Sequence, residues 1–110
     1  MRLLSRAEEL VLLAVWKLKD DASSIPIREH LTAKTGKDWS FGSVFAPLER
    51  LEKKGLLRST LTEPTNIRGG RSKRVYRITS FGRQALAEMS RIQAAMWEDA
   101  SVLDAETEET

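Results

Sequence analysis

An α+β chain, with three helices first, a late two-stranded hairpin and one further helix, follows from three observations. The stretch Trp39–Leu57 carries a helix start, an apolar stripe and a helix stop. Two short β-rich runs, Leu57–Leu61 and Arg74–Thr79, flank a loop containing Pro, Asn and Gly. At 110 residues, 41% hydrophobic and 31% charged, the chain has material for one domain with a modest core.

The first helix opens at Ser5-Arg-Ala-Glu8, a capping box in which Ser5 caps and Glu8 reaches back to the Ser5 N–H. It should run to about Leu18. Leu10, Leu13 and Ala14 share one face and Val11, Val15 and Leu18 another, so this helix needs two burial partners. One is the core; the other is either a second subunit or the last helix of the same chain. A polar turn, Asp20–Ser24, leads to Ser24-Ile-Pro-Ile, which opens the second helix with Pro26 where a missing N–H is harmless. Ile27 and Leu31 face inward and Gly36 ends the helix.

In the third helix Ser40 is the N-cap and Phe41, Val44, Phe45, Leu48 and Leu51 recur at spacings of three and four. Lys53, Lys54 and Gly55 mark its end. The opposite face is small or basic: Gly42, Ser43, Ala46, Arg50 and Lys53. Such a surface lets a helix approach a DNA major groove and bond phosphates and base edges. The two strands that follow frame a loop from Glu63 to Lys73 with Gly69-Gly70 at its tip. Arg68, Arg71, Lys73, Arg74 and Arg77 lie within ten residues with no acid among them. A basic hairpin after a groove-compatible helix is the wing of a winged helix-turn-helix. Along the second strand Tyr76 and Ile78 alternate with Val75 and Arg77, and Tyr76 reads as a core aromatic. Ser40, Gly42, Ser43 and Arg50 are the candidate groove contacts; Arg68, Arg71, Lys73 and Arg74 are candidates for phosphates or a minor groove.

Thr79 or Ser80 caps a fourth helix with an apolar stripe of Leu86, Met89, Ile92, Met96 and the adjacent Trp97. Three helices and the hairpin should already close the core. The stripe, with Val11 and Val15, is therefore expected at a twofold dimer interface. A gap between two copies of Trp97 would suit a planar aromatic effector. Residues 1–82 form the winged-helix domain in this reading, 83–100 the dimerisation helix, and 101–110 an acidic tail of disordered composition. Charge divides the same way: residues 1–84 hold 17 Lys and Arg against 9 Asp and Glu, a net of +8, and residues 85–110 hold 1 against 7, a net of −6. The basic part has the footprint of a polyanion binder.

The residues G-S-V-F-A-P-L-E-R-L-E-K-K-G-L (Gly42–Leu56), E-P-T-N-I-R-G-G-R-S-K-R-V-Y-R-I-T (Glu63–Thr79) and Gly82 resemble the PadR family of transcriptional regulators. The resemblance runs from about Leu10 to Trp97. It implies a homodimeric DNA-binding regulator in which the last helix pairs with the first helix of the partner. The family usually has Tyr where Phe45 stands, and the resemblance implies a DNA-backbone contact that Phe45 lacks the hydroxyl to make. Pro47 lacks an N–H beyond the first turn, which predicts a kink or a late helix start.

Cys is absent, which excludes disulfides, thiol chemistry and cysteine metal sites. A single histidine, His30, without a carboxylate cluster makes no metal site. Leu10–Trp16 is too short to span a membrane. Neither a nucleophile–base pair nor a phosphate loop is present, so an enzyme and a cofactor are not expected. The expected function is sequence-specific binding of a double-stranded operator, as a cytoplasmic homodimeric repressor. The alternative is a winged-helix protein-interaction or scaffold module, against which the basic wing argues.

Overall fold

Each predicted cap is realised in the computed structural model, which describes residues 3–62, 73–98 and 100. Arg68, Arg71, the wing-tip glycines and the acidic tail lie outside the described residues. The order of elements is α1 (Arg6–Leu18), a one-turn 3₁₀ helix (Lys19–Asp21), α2 (Ser24–Thr35), α3 (Phe41–Lys53), β1 (Leu57–Leu61), β2 (Arg74–Ile78) and α4 (Ser80–Trp97). The Glu8 N–H donates to Ser5 Oγ at 3.1 Å, and the Ser5 N–H donates to Glu8 Oε1 at 2.9 Å, completing the capping box of α1. Gly36 ends α2 in the left-handed region at φ 71°. Thr79, not Ser80, caps α4 by accepting from the Gly82 N–H.

Helix α1 is the centre of the molecule, packing against α2, α3, β2 and α4. Val11, Leu12 and Val15 meet Ile27 and Leu31 of α2, Val44, Leu48 and Leu51 of α3, and Leu57 and Tyr76 of the hairpin. Leu48 and Leu51 are wholly buried. Each contributes about 1.5–3 kcal/mol by leaving water. Together they set the inward face of α3 and hence the direction in which its other face looks.

β1 and β2 pair antiparallel, with Leu57 opposite Ile78, Ser59 opposite Tyr76 and Leu61 opposite Arg74. The outer edge of β2 is anchored too: the Tyr76 N–H donates to the Ala22 carbonyl at 2.8 Å. That bond ties the wing to the α1–α2 connection. Where α3 turns into β1, Gly55 takes φ 78° and the Thr79 hydroxyl donates to its carbonyl at 2.7 Å.

Four expectations are corrected. Val11 and Val15, expected at a subunit interface, are 0% and 2% exposed within the chain itself. Their second burial partner is intramolecular, so they offer nothing to another subunit. Three helices and the hairpin do not close the core. Met89 of α4 is 5% exposed and belongs to the core, and Ala85, Leu86 and Ile92 pack against it. The first turns of α4 are thus part of the winged-helix body. Phe41 and Phe45 do not lie on the inward face but are 58% and 39% exposed. α3 also does not start late: it begins at Phe41 with Pro47 buried inside it. The proline removes one donor, so the Ser43 carbonyl has no N–H four residues on.

Candidate nucleic-acid interface

The N-terminal turn of α3 is held in a polar, exposed arrangement. Ser40 Oγ accepts from the Ser43 N–H at 3.1 Å, and the Ser43 hydroxyl donates to the Ser40 carbonyl at 2.8 Å. Gly42, Ala46 and Lys53 are exposed on the outer face. So is Glu49, an acid between them that a count of basic residues overlooks. The turn before α3 is fixed by Trp39, whose Nε1–H donates to Thr35 Oγ1 at 3.0 Å while Arg28 Nε donates to its carbonyl at 2.6 Å. This pins the angle between α2 and α3 on which the helix-turn-helix depends.

Arg50 stands at the edge of that face, where it leans back. Its Nε donates to Glu8 Oε2 at 3.1 Å, and Lys54 Nζ donates to the same oxygen at 2.8 Å. Glu8 is buried, 3% exposed, while the Arg50 side chain is 49% exposed. Burial works against ionisation of Glu8. The Lys54 ammonium, the Ser5 N–H and the Arg50 guanidinium outweigh it and hold the carboxyl at about 2, below its ordinary 4.5. Glu8 thus caps α1 with one oxygen and clamps α3 with the other. The capping box announces the first role. The second has no local signal, because its partners are 42 and 46 residues away.

At the base of the wing, the Thr62 N–H donates to the Lys73 carbonyl at 2.8 Å, and the Lys73 N–H donates to Thr62 Oγ1 at 3.1 Å. Both Lys73 and Arg74 are exposed. One Arg74 guanidinium nitrogen donates to Ser59 Oγ at 2.9 Å, and Ser59 donates to a Glu52 carboxylate oxygen at 2.6 Å. This relay joins the wing to α3. Arg77, counted in the same basic run, is turned elsewhere, to Asp20 at 2.7 Å. Burial pushes the Tyr76 phenol above its ordinary value, so it stays neutral at the root of the wing.

Of the eight predicted contact residues, Ser40 caps α3, Gly42, Ser43 and Arg50 lie on it, and Lys73 and Arg74 lie beside its N-terminal end. Between them runs a cleft of about 450 Å³, walled by Ser23–Pro26 of the α2 entry, by Phe41 and Phe45, and by Lys73, Arg74 and Tyr76. The Phe41 and Phe45 rings stack with centroids 5.9 Å apart and an interplanar angle of 14°. Helical spacing did not separate them from the core stripe, because both sit at its margin, where the neighbours decide which residues are covered. Of the other predicted interface residues, Leu86 and Ile92 are half-buried, and Met96 and Trp97 are 73% and 56% exposed at the far end of α4. Among the described residues no three His, Asp or Glu side chains come together as a metal site, and no helix is long and apolar enough to cross a membrane.

A polar, basic-edged helix braced by a two-stranded wing defines a winged-helix transcription regulator that binds DNA. The chain belongs to the PadR-like family of transcriptional regulators, whose family model matches residues 12–88. That family is one of regulators, not of enzymes. Among solved structures the chain is similar to a transcriptional regulator from Clostridium thermocellum, at 18% identity and TM-score 0.70 over 87% of this chain and 90% of that one. It is also similar to a PadR family regulator from Eggerthella lenta, at 22% identity and TM-score 0.68 over 86% and 80% of the two chains. A third is the Bordetella bronchiseptica regulator BpsR, whose DNA binding is regulated by 6-hydroxynicotinic acid, at 19% identity and TM-score 0.69 over 93% and 69%. At these identities the likeness is one of fold. Among curated proteins none matches the chain.

Proposed function

We propose that the chain is a homodimeric repressor that binds a pseudo-palindromic operator, placing one α3 in each of two successive major grooves and its wings on the flanking backbone. The observation that carries this reading is the adjacency of the exposed Ser40–Lys53 face of α3 to Lys73 and Arg74 at the wing base. Ser40, Gly42 and Ser43 face the groove. Arg50 contributes from the flank, with Glu8 fixing its Nε. Lys73 and Arg74, with Arg68 and Arg71 of the wing, neutralise phosphates. Repression follows from occlusion of the promoter. Selection of bound duplexes from random DNA, followed by footprinting, tests the reading: two half-sites about 10–10.5 bp apart, or a multiple of that, are expected. Recovery of no preferred sequence would reject it.

Replacing Lys73 and Arg74 together by Ala should weaken binding to all duplexes alike. It should also flatten the slope of log affinity against log salt by about 0.9 for each lost phosphate contact. An unchanged slope would remove the wing base from the interface.

The dimer rests on α4. Met96 and Trp97 project apolar surface into solvent, and Leu86 and Ile92 continue the stripe inward. Two such ends meeting about a twofold axis would bury surface that is costly to leave wet. Met96→Asp/Trp97→Asp should sediment as a monomer that keeps the helical circular dichroism of the parent, since neither residue supports the subunit's own core. Its melting temperature should no longer depend on protein concentration. A dimer of undiminished affinity would exclude this end of α4. The exposed Trp97 at this end motivates a planar aromatic effector between its two copies; BpsR, a protein of similar fold, has its DNA binding regulated by a compound of that kind, 6-hydroxynicotinic acid. Quenching of tryptophan fluorescence by 6-hydroxynicotinic acid, absent in Trp97→Phe, would support it; no quenching in the parent chain would reject it.

A further inference from the structure

We propose that Phe41, seated on Phe45, reads the C5 methyl group of a thymine in the operator. The inference rests on the reading of α3 as the groove helix and deepens it by naming what that helix recognises. Phe41 is the first residue of α3 and is 58% exposed, beside the groove-facing Ser40, Gly42 and Ser43. Its ring lies nearly parallel to that of Phe45, so its position is set before any ligand arrives. Ile25 of the α2 entry, 66% exposed, extends the apolar surface across the cleft.

Two properties of this patch must be met by one occupant. It is apolar at its floor, and cations stand at its rim, Lys73 and Arg74, in a segment of net charge +8. The same face of a second copy answers the first property but brings the same positive charge. A DNA duplex answers both. It offers phosphates to the rim, and in the major groove the thymine C5 methyl is the apolar group that a base edge presents to a phenyl ring. The stacked pair carries no hydroxyl, so it can neither donate to a phosphate nor accept from a base amine. A methyl group is the contact that suits it. Lys73 and Arg74 then hold the strand on which that thymine lies.

The test uses the full chain and the best duplex from the selection. Each thymine is replaced in turn by deoxyuridine, which deletes only the methyl group. For the parent chain, one position in each half-site should lose affinity by about fourfold per methyl, the value of one buried CH₂-sized group. Phe41→Ala should bind the thymine duplex more weakly by a similar factor and no longer distinguish the two bases there. Since Phe41 supports none of the core, its melting should match the parent's. A parent chain that selects duplexes yet binds every deoxyuridine version as well as the original would overturn the proposal alone. So would a Phe41→Ala chain that retains the full preference for thymine. Failure to select any duplex would overturn the reading beneath it as well.

Discussion

Gly82→Ala is expected to lower the melting temperature more than alanine at any other glycine among the described residues. A Cβ at Gly82 would sit 2.5 Å from Ile78 Cγ1 and closer still to the Leu56 carbonyl oxygen. That carbonyl already accepts from the Thr79 N–H at 3.1 Å. It is backbone at the turn into β1, so it cannot swing away as a side chain would. The first turn of α4 would have to lift, loosening the Thr79 cap and the seat of Met89 in the core. Overpacking of this kind costs about 1–3 kcal/mol, and more where the obstacle is backbone. At about 4–8 °C per kcal/mol for a domain of this size, a fall on the order of 15 °C follows. Thermal unfolding followed by circular dichroism checks it. A melting temperature within a few degrees of the parent's would mean that α4 is docked less closely than the structure has it.

Glu8→Gln is expected to destabilise strongly at neutral pH and very little in acid. Glutamine retains the volume and one acceptor oxygen, which can still serve the capping box. Its NH₂ cannot accept from Lys54 or Arg50, so the variant removes the clamp's charge and its acceptor together. With Glu8 ionised and bonded to Lys54 and Arg50, its carboxyl is held at about 2 rather than 4.5. A depressed pKa of this size corresponds to about 3 kcal/mol of folding stability. The figure is an upper value, because the Lys54 and Arg50 side chains are 32% and 49% exposed and water screens them in part. The folded pKa lies below the unfolded one. The contribution is therefore complete above about 4.5 and is lost as the pH falls from there towards 2. Urea unfolding at neutral pH should show the parent more stable by about 2–3 kcal/mol. Near pH 2.5 only about a quarter of that gap should remain. A gap that stays the same across this range would show that the clamp acts through shape rather than charge.

Everything that depends on a few neighbouring residues was legible beforehand. Ser5 with Glu8, Ser40, and Thr79 or Ser80 announced the helix starts, while Gly36 and Gly55 announced the ends, because a cap satisfies backbone groups within one turn of itself. The alternation in Arg74–Ile78 gave the buried face of β2, with Tyr76 inward, because a pleat repeats every two residues. From these came the winged helix, and from the charge of the wing and the outer face of α3 came the class of ligand. What remained open was decided between elements far apart in the chain. Val11 and Val15 were apolar on a face needing a partner, and only the packing of α1 among the other elements of the chain showed that the partner was internal. Phe41 and Phe45 matched the core period but lay at the margin of α3, where the position of α2 and the wing leaves them in solvent. Glu8 looked complete once its cap was made, yet its second oxygen holds Arg50 and Lys54 more than forty residues on. Caps and periods are short-range and can be read along the chain. Coverage and charge pairing are properties of the assembled surfaces, and these exist only once the helices have packed.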